Sequence, residues 1–410
     1  MSEPVSSPSS IDERFAAAHA KLRTVATTGT NGKTTTTSMV ASIVAAAGEP
    51  AARITTVGAW IGDDAITAAT PMDEFLVTVE RAVADGVTTL ALEVTSKALA
   101  AGIARRWSPH VAVFTNLTRD HLDQHGTPEH YLASKAQLFM ALPPGGTAIL
   151  NADDPSTPLI REVIPDGVIV HQFAVAGPAE LAAQEVIVTP GKTRVVLADG
   201  GFARELGGVL ELRIAGGVHA QNALAAALAA RAAGYAPAAI REGLERFTGV
   251  PGRFEVVGER PLVVVDYAHT PDGLVGTLVT ARELCRGKLV CVFGCGGDRD
   301  RGKRPQMAAV VDERADIAVL TTDNPRHEDP AAIAADVQAG APSPRARWIV
   351  ELDRARAIEL AIELAAPDDV VVIAGKGHER VQEVHGRELP FSDVDVARAA
   401  IAAATSIAVR

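Results

Sequence analysis

Leu22-Arg23-Thr24-Val25-Ala26-Thr27-Thr28-Gly29-Thr30-Asn31-Gly32-Lys33-Thr34 is the stretch that decides the fold. Its first seven residues read as a β-branched strand, two glycines form a turn, and a helical stretch from Thr35 to Ala47 follows. This order puts backbone N–H groups at a helix N-terminus, where they can approach phosphate oxygens closely. Lys33 reaches the outer phosphates and Thr34 is placed to hold Mg²⁺. Gly29, Thr30, Asn31, Gly32, Lys33, Thr34 and Thr35 are therefore the expected site for a nucleoside triphosphate. The general phosphate-loop spacing asks for glycine at position 27, where this chain has Thr27.

Outward from this loop the chain alternates short apolar runs with Ala-rich helical stretches. Buried strands are expected at 87–94, 110–115, 146–151, 262–266, 289–293, 317–321 and 370–373. Strands separated by helices imply βαβ units and parallel sheets, an α/β fold. Between Val186 and Ile214 the Val/Leu runs are broken by Gly and charged residues, as in an antiparallel excursion. Gly249-Val250-Pro251-Gly252 is the clearest boundary. The expected organisation is a mobile leader at 1–20, although Ile11 to Ala20 reads as a short helix, then α/β domains at 21–248 and 249–410.

Composition narrows the partners. The 410 residues carry 39 Lys plus Arg against 50 Asp plus Glu, a net charge of −11 that disfavours sequence-independent binding to nucleic acid or anionic membranes. Three cysteines without a C-x-x-C pair cannot form a disulfide framework, and there is no long apolar run. A cytoplasmic protein with small-molecule partners, as a monomer, is the expectation.

Further candidates stand at strand ends, where ligands of open α/β sheets collect. Glu93 ends one strand, and Asp120, His121, Asp123 and His125 cluster after another, an acid-and-imidazole set suited to an Mg²⁺–phosphate shell. Three polar loops, the first and third Gly-containing, follow later strands: Phe293 to Pro305, Thr321 to Pro330, and Gly375-Lys376-Gly377-His378-Glu379. Cys295, in the first of these, reads as a small buried residue and not as a nucleophile.

Phe114-Thr115-Asn116-Leu117-Thr118-Arg119-Asp120-His121-Leu122-Asp123-Gln124-His125-Gly126, with Lys135 beyond it, resembles the central P-loop ATPase domain of the Mur ligases, most closely the MurE branch. His219-Ala220-Gln221-Asn222, Val250 to Glu255 and Val265 to Asp272 also resemble that family, and the likeness spans about 21–400. It implies a central ATPase domain followed by a C-terminal Rossmann-like domain. It also implies ATP-dependent activation of a carboxylate as an acyl phosphate, then attack by an amino-acid amine. By the same resemblance Lys33 and Thr34 bind phosphates and the first Mg²⁺, Glu93 bridges two metals, His121 binds the second, and Lys135 is carbamylated. Asn222 contacts the adenine side, Arg253 the phosphates and Asp266 the ribose.

In MurE enzymes Asp-Asn-Pro-Arg marks selection of meso-diaminopimelate, whose distal carboxylate a guanidinium can pair. That implies Arg326 as the specificity residue. Arg304, Asp323, Asn324, Gly375 and Glu379 are the other amino-acid contacts, with Glu379 on the distal ammonium. Thr70 and Ser96 are the implied acceptor contacts. Departures fall on the acceptor side: Ala69, Lys97 and Ile103 replace the family's Thr, His and Arg, and no uridine-binding domain fits upstream of the loop. The expected acceptor is a muropeptide or another acyl acid not held through UDP. A glutaminase-coupled amidating Mur homologue and a non-catalytic nucleotide-binding homologue are the alternatives, and folylpolyglutamate synthetase is related in fold. The complete amino-acid loops argue against the first; Lys33, Glu93 and Lys135 argue against the second.

Overall fold

A computed structural model describes residues 10–189 and 191–408. Two large sheets divide the chain. The first contains β1 (Arg23–Thr28), β2 (Ala51–Thr55), β3 (Gly58–Ile61), β4 (Asp64–Ile66), β5 (Thr89–Glu93), β6 (Val111–Phe114), β7 (Thr147–Asn151), β8 (Ile169–Ala174), β9 (Leu181–Thr189), β10 (Lys192–Leu197) and β11 (Val209–Leu212). Their spatial order is β11-β10-β9-β8-β7-β6-β1-β5-β2-β3-β4. From β2 through β5, β1, β6 and β7 to β8 the pairs are parallel, while both edges turn antiparallel.

The second sheet runs β12 (Glu255–Glu259), β13 (Leu262–Asp266), β17 (Val370–Ala374), β14 (Leu289–Phe293), β15 (Ile317–Leu320) and β16 (Arg347–Val350). Only its β12–β13 edge is antiparallel. A separate hairpin, β18 (Val381–Val384) and β19 (Arg387–Pro390), follows.

Strand periodicity explains the layering. Val25, Val111, Val113 and Ile149 face the helices Lys33–Ala46, Val218–Ala232 and Pro237–Arg246, whereas their neighbours Ala26, Ala112, Phe114 and Leu150 join the core on the other face. In the second sheet Leu289, Cys291 and Phe293 face one core and Val290 and Val292 the other. Helices thus cover both faces of each sheet, and the carboxyl ends of the central strands are left for loops. Cys295 is buried beside Met307, and burial pushes its thiol up to about 12, in keeping with a packing role.

One expectation changes. Residues 1–9 of the expected leader lie outside the described residues, but 10–20 do not behave as a mobile segment. The Ser10 hydroxyl oxygen accepts from Glu13 N–H and Ser10 N–H donates in return to the Glu13 carboxylate, capping the helix Ile11–His19. Phe15 is buried and stacks on Phe75 with ring centroids 5.3 Å apart, so an aromatic anchor holds the helix to the first sheet's helical layer.

Candidate active site

The phosphate loop leaves β1 and enters the helix Lys33–Ala46 through Gly32, whose φ of +83° favours glycine. A Cβ there would stand 2.4 Å from Asn222 Oδ1, so glycine also allows the helix Val218–Ala232 to approach. Asn222 accepts from the Thr36 hydroxyl at 3.3 Å. Lys33 folds back to donate to Thr30 O at 2.7 Å; burial lowers its pKa despite the nearby Glu93 carboxylate.

Thr34 donates to Glu93 Oε2 at 2.8 Å, and Thr56 N–H donates to the same oxygen at 3.1 Å. Arg253, from the far side of the crevice, donates to Thr34 Oγ1 at 3.3 Å. Hydroxyl and carboxylate oxygens are the donors a hard cation such as Mg²⁺ prefers. Among the described residues no group of three His, Cys, Asp or Glu side chains stands ready for a metal. The Thr34 hydroxyl and the Glu93 carboxylate thus offer oxygen donors that suit a Mg²⁺ also held by phosphate and water.

Lys135 is buried beneath this loop. It donates to Gly29 O at 2.6 Å and its ammonium lies 4.3 Å from the Tyr131 ring centroid. Desolvation, reinforced by Lys33, drives its pKa well below the ordinary lysine value, which favours a neutral, nucleophilic amine. His121 takes a left-handed φ of +52°, with Nε2 3.3 Å from Asp120 Oδ2. Burial raises the Asp120 carboxyl, but His269, His121, Lys303 and the His121 N–H more than offset this and hold it below its usual value.

These groups meet in a cavity of about 480 Å³ between the two sheets, lined by Lys33, Thr34, Glu93, His121, Lys135, Asn222, Arg253 and Asp266 among others. Ser96 also lines it and bonds His125 Nε2 at 3.0 Å. Thr70 does not: it caps the helix Pro71–Ala84 on the surface by accepting from Asp73 N–H. Asp266 holds its own turn together, accepting from Phe254 N–H at 2.7 Å, Ala268 N–H at 2.8 Å and the Thr277 hydroxyl at 2.9 Å. Those bonds set the stretch that carries Arg253. The Arg253 guanidinium stacks 4.2 Å above the Tyr267 ring centroid.

The second cluster lies at the carboxyl ends of β15 and β17. Asn324 donates to Glu379 Oε2 at 2.9 Å and accepts from Lys376 Nζ at 2.9 Å; Lys376, fully buried, also pairs with Glu379 at 2.8 Å. Asp323 accepts from Asn324 N–H at 2.7 Å. Burial raises its carboxyl, yet Arg354 and Lys376 hold it below the usual range. Gly375 approaches Asp323 so closely that a Cβ would stand 2.6 Å from Oδ2. Arg326 donates to Gly297 O at 2.8 Å and pairs with Glu383 at 2.9 Å.

Arg304 does not join this cluster as a ligand-facing cation. Its side chain is 0% exposed and forks onto Glu328 at 2.7 Å and Asp336 at 2.8 Å, so it fastens the loop from beneath. On the same loop Arg299 is exposed, and its Cγ stands beside Gly296 together with the Arg326 guanidinium. Sequence reasoning also missed Lys376, although it lies inside the quoted Gly-Lys-Gly-His-Glu run, and Glu383, for which no local pattern gave a signal.

A nucleotide-sized crevice at the carboxyl ends of two parallel sheets, with a phosphate loop on one side and a polar amino-acid-sized cluster beyond, defines the architecture of an ATP-dependent ligase. Residues 27–230 match the Mur ligase middle domain and residues 252–377 the Mur ligase, glutamate ligase domain. The UDP-N-acetylmuramoyl-L-alanyl-D-glutamate–2,6-diaminopimelate ligase of Geobacillus thermodenitrificans is 40% identical over 396 residues, 93% of this chain and 79% of that one. Its namesake from Thermosynechococcus vestitus is 42% identical over 390 residues, covering 93% and 77%. A solved structure of a ligase of that name is 33% identical with a TM-score of 0.64, covering 96% of this chain and 83% of the other. Mycobacterium tuberculosis folylpolyglutamate synthase, solved with ADP and AMPPCP, shares the fold at 22% identity and a TM-score of 0.70, over 95% of both chains.

The chain belongs to the Mur ligase family and is MurE-like, an ATP-dependent ligase that forms C–N bonds. The family uses ATP and Mg²⁺. No helix among the described residues is long and apolar enough to cross a membrane.

Proposed function

We propose that this ligase activates a carboxylate with ATP as an acyl phosphate and joins it to the amine of meso-diaminopimelate, releasing ADP and phosphate. The observation that carries the reading is continuity between the two clusters. Gly252, next to Arg253, packs so tightly on Gly377 and His378 that a Cβ at 252 would stand 2.1 Å from His378 N. Phosphate-side and amino-acid-side groups are thereby fastened back to back.

In this reading Lys33, Thr34 and Arg253 hold the phosphates, with the N–H groups of Gly29 to Thr35, and Asn222 lies on the adenine side. Asp266 meets the ribose while its turn bonds position Arg253. Thr34 and Glu93 hold the first Mg²⁺, and Glu93, His121 and carbamylated Lys135 the second. The bound metals would neutralise phosphate charge. The neutral Lys135 amine is the form that adds CO₂; a C–N bond forms, one proton leaves, and the buried nitrogen then carries a carboxylate. Arg326 pairs with the distal carboxylate of diaminopimelate, and Asn324, Asp323, Gly375 and Glu379 surround its amino-acid end, Glu379 facing the ammonium. Arg299, exposed beside Arg326, replaces Arg304 as the second arginine on the substrate side.

Ser96 stands on the acceptor side, and Thr70 is the remaining acceptor candidate from the family likeness. Lys97, Ala69 and Ile103 favour a muropeptide or another acyl acid not held through UDP. The protein is read as a cytoplasmic monomer. Phosphate release with ATP, Mg²⁺ and a panel of UDP-linked and UDP-free acids, each with diaminopimelate or lysine, tests this. Diaminopimelate-dependent turnover with UDP-free acids is expected. Turnover confined to the UDP-linked acceptor would sink the acceptor reading, and amine-independent hydrolysis alone would sink the ligase reading.

A further inference from the structure

Arg326 is held in an unusual way. Its φ of +50° is left-handed, a conformation in which a bulky residue stays only when its surroundings fix it. The fixing element is the β18–β19 hairpin. Arg326 N–H donates to Glu383 O at 3.1 Å, and His385 N–H donates to Arg326 O at 2.7 Å, so Arg326 is laced to β18 from both sides. Glu383 N–H donates to Asn324 Oδ1 at 3.0 Å. Finally the Glu383 carboxylate lies 2.9 Å from Arg326 Nε, while Nη1 is taken by Gly297 O. One residue outside every recognised loop therefore touches the backbone and guanidinium of Arg326 and the amide of Asn324.

We propose that Glu383 is a positioning residue for amino-acid selection: its carboxylate holds the Nε edge of Arg326 so that the rest of the guanidinium is presented to the distal carboxylate of the incoming amino acid. This rests on the reading of the Asp323–Arg326 loop as the amino-acid site. The geometry supports it over a purely structural role. The hairpin's backbone bonds already secure the loop, so the side chain adds only orientation of the guanidinium. The Arg326 side chain is 17% exposed, enough to meet a ligand but confined to few rotamers. An arginine without this partner would sample several rotamers and lose the pre-set fork that makes bidentate recognition selective.

Steady-state kinetics of the full chain with meso-diaminopimelate and with lysine, at saturating ATP and acceptor, test the idea. Glu383→Ala keeps every backbone bond and is expected to raise KM for diaminopimelate about tenfold or more. Preference over lysine should fall by a similar factor, with KM for ATP unchanged. Glu383→Gln, whose amide oxygen can still accept from Nε, is expected to stay within about threefold of the parent. Unchanged KM and preference in Glu383→Ala would overturn the proposal. So would an equal loss with both amines, or a Gln variant as impaired as Ala. Arg326→Ala run alongside separates the two levels. If it leaves amino-acid choice untouched, the site reading itself fails; if it abolishes choice while Glu383→Ala does not, only the role of Glu383 fails.

Discussion

Arg304 and Arg326 show how a residue's partners decide its work. Both are arginines on strand-end loops, and both follow from the family likeness as contacts to the amino acid. Arg304 has no exposed side-chain surface and two carboxylate partners, whereas the Arg326 side chain stays partly accessible. Arg304→Ala would leave Glu328 and Asp336 with only the exposed Arg301 as a cationic partner, a cost on the order of 1–3 kcal/mol. The expected result is a lower urea midpoint with little change in KM for diaminopimelate among molecules that stay folded. A raised KM with an unchanged midpoint would return Arg304 to the pocket. Sequence could not separate the two arginines, because burial depends on what the helix Pro330–Gln338 brings up against the loop, namely Asp336.

Among the elements, those with strong local pattern were legible. The strands at 262–266 and 289–293 coincide with β13 and β14 residue for residue, since runs such as Leu-Val-Val-Val-Asp are apolar, β-branched and closed by a polar turn. The antiparallel excursion appears as β9, β10 and β11. The hairpins β2–β3–β4 and β18–β19 were not anticipated: their strands are only three to five residues long and mix polar with apolar side chains, so periodicity carries little signal. The phosphate loop and the strand-end acids were legible because their chemistry is local, while the Glu383–Arg326 pairing joins residues that only the fold makes neighbours. Gly252 illustrates the same limit between elements. Its φ of +68° and its contact with His378 N leave no room for a methyl group, so Gly252→Ala is expected to cost about 1–3 kcal/mol. Amine-dependent phosphate release should fall with it. A variant with parental stability and rate would show that the seam between the Arg253 turn and the Gly375–Glu379 loop is slack.

For the whole molecule, the crevice is bridged directly between its two walls. Asn31 Nδ2 donates to Asp272 at 3.0 Å, Arg119 pairs with Asp300 at 3.4 Å, and Asp120 faces His269 at 3.8 Å. Burial pushes His219, His269 and His378 down to about 4, so each is neutral in the folded chain at pH values where the unfolded chain would protonate it. The unfolded state then binds more protons between about 4 and 6.5, and stability rises with pH across that window. Lowering pH from 7 to 5 is expected to reduce the urea midpoint, each histidine contributing on the order of 1–2 kcal/mol. A midpoint that holds or climbs at pH 5 would show that these imidazoles accept protons without opening the crevice. The resting site has a last consequence. Lys33 leans on the Thr30 carbonyl and Thr34 on Glu93, so the groups assigned to the phosphates and the first metal are already matched within the protein. Substrate entry is then an exchange reaction like that on a loaded ion-exchange resin: a ligand gains only the margin by which it outcompetes the internal counter-group, and shape decides that margin more than charge.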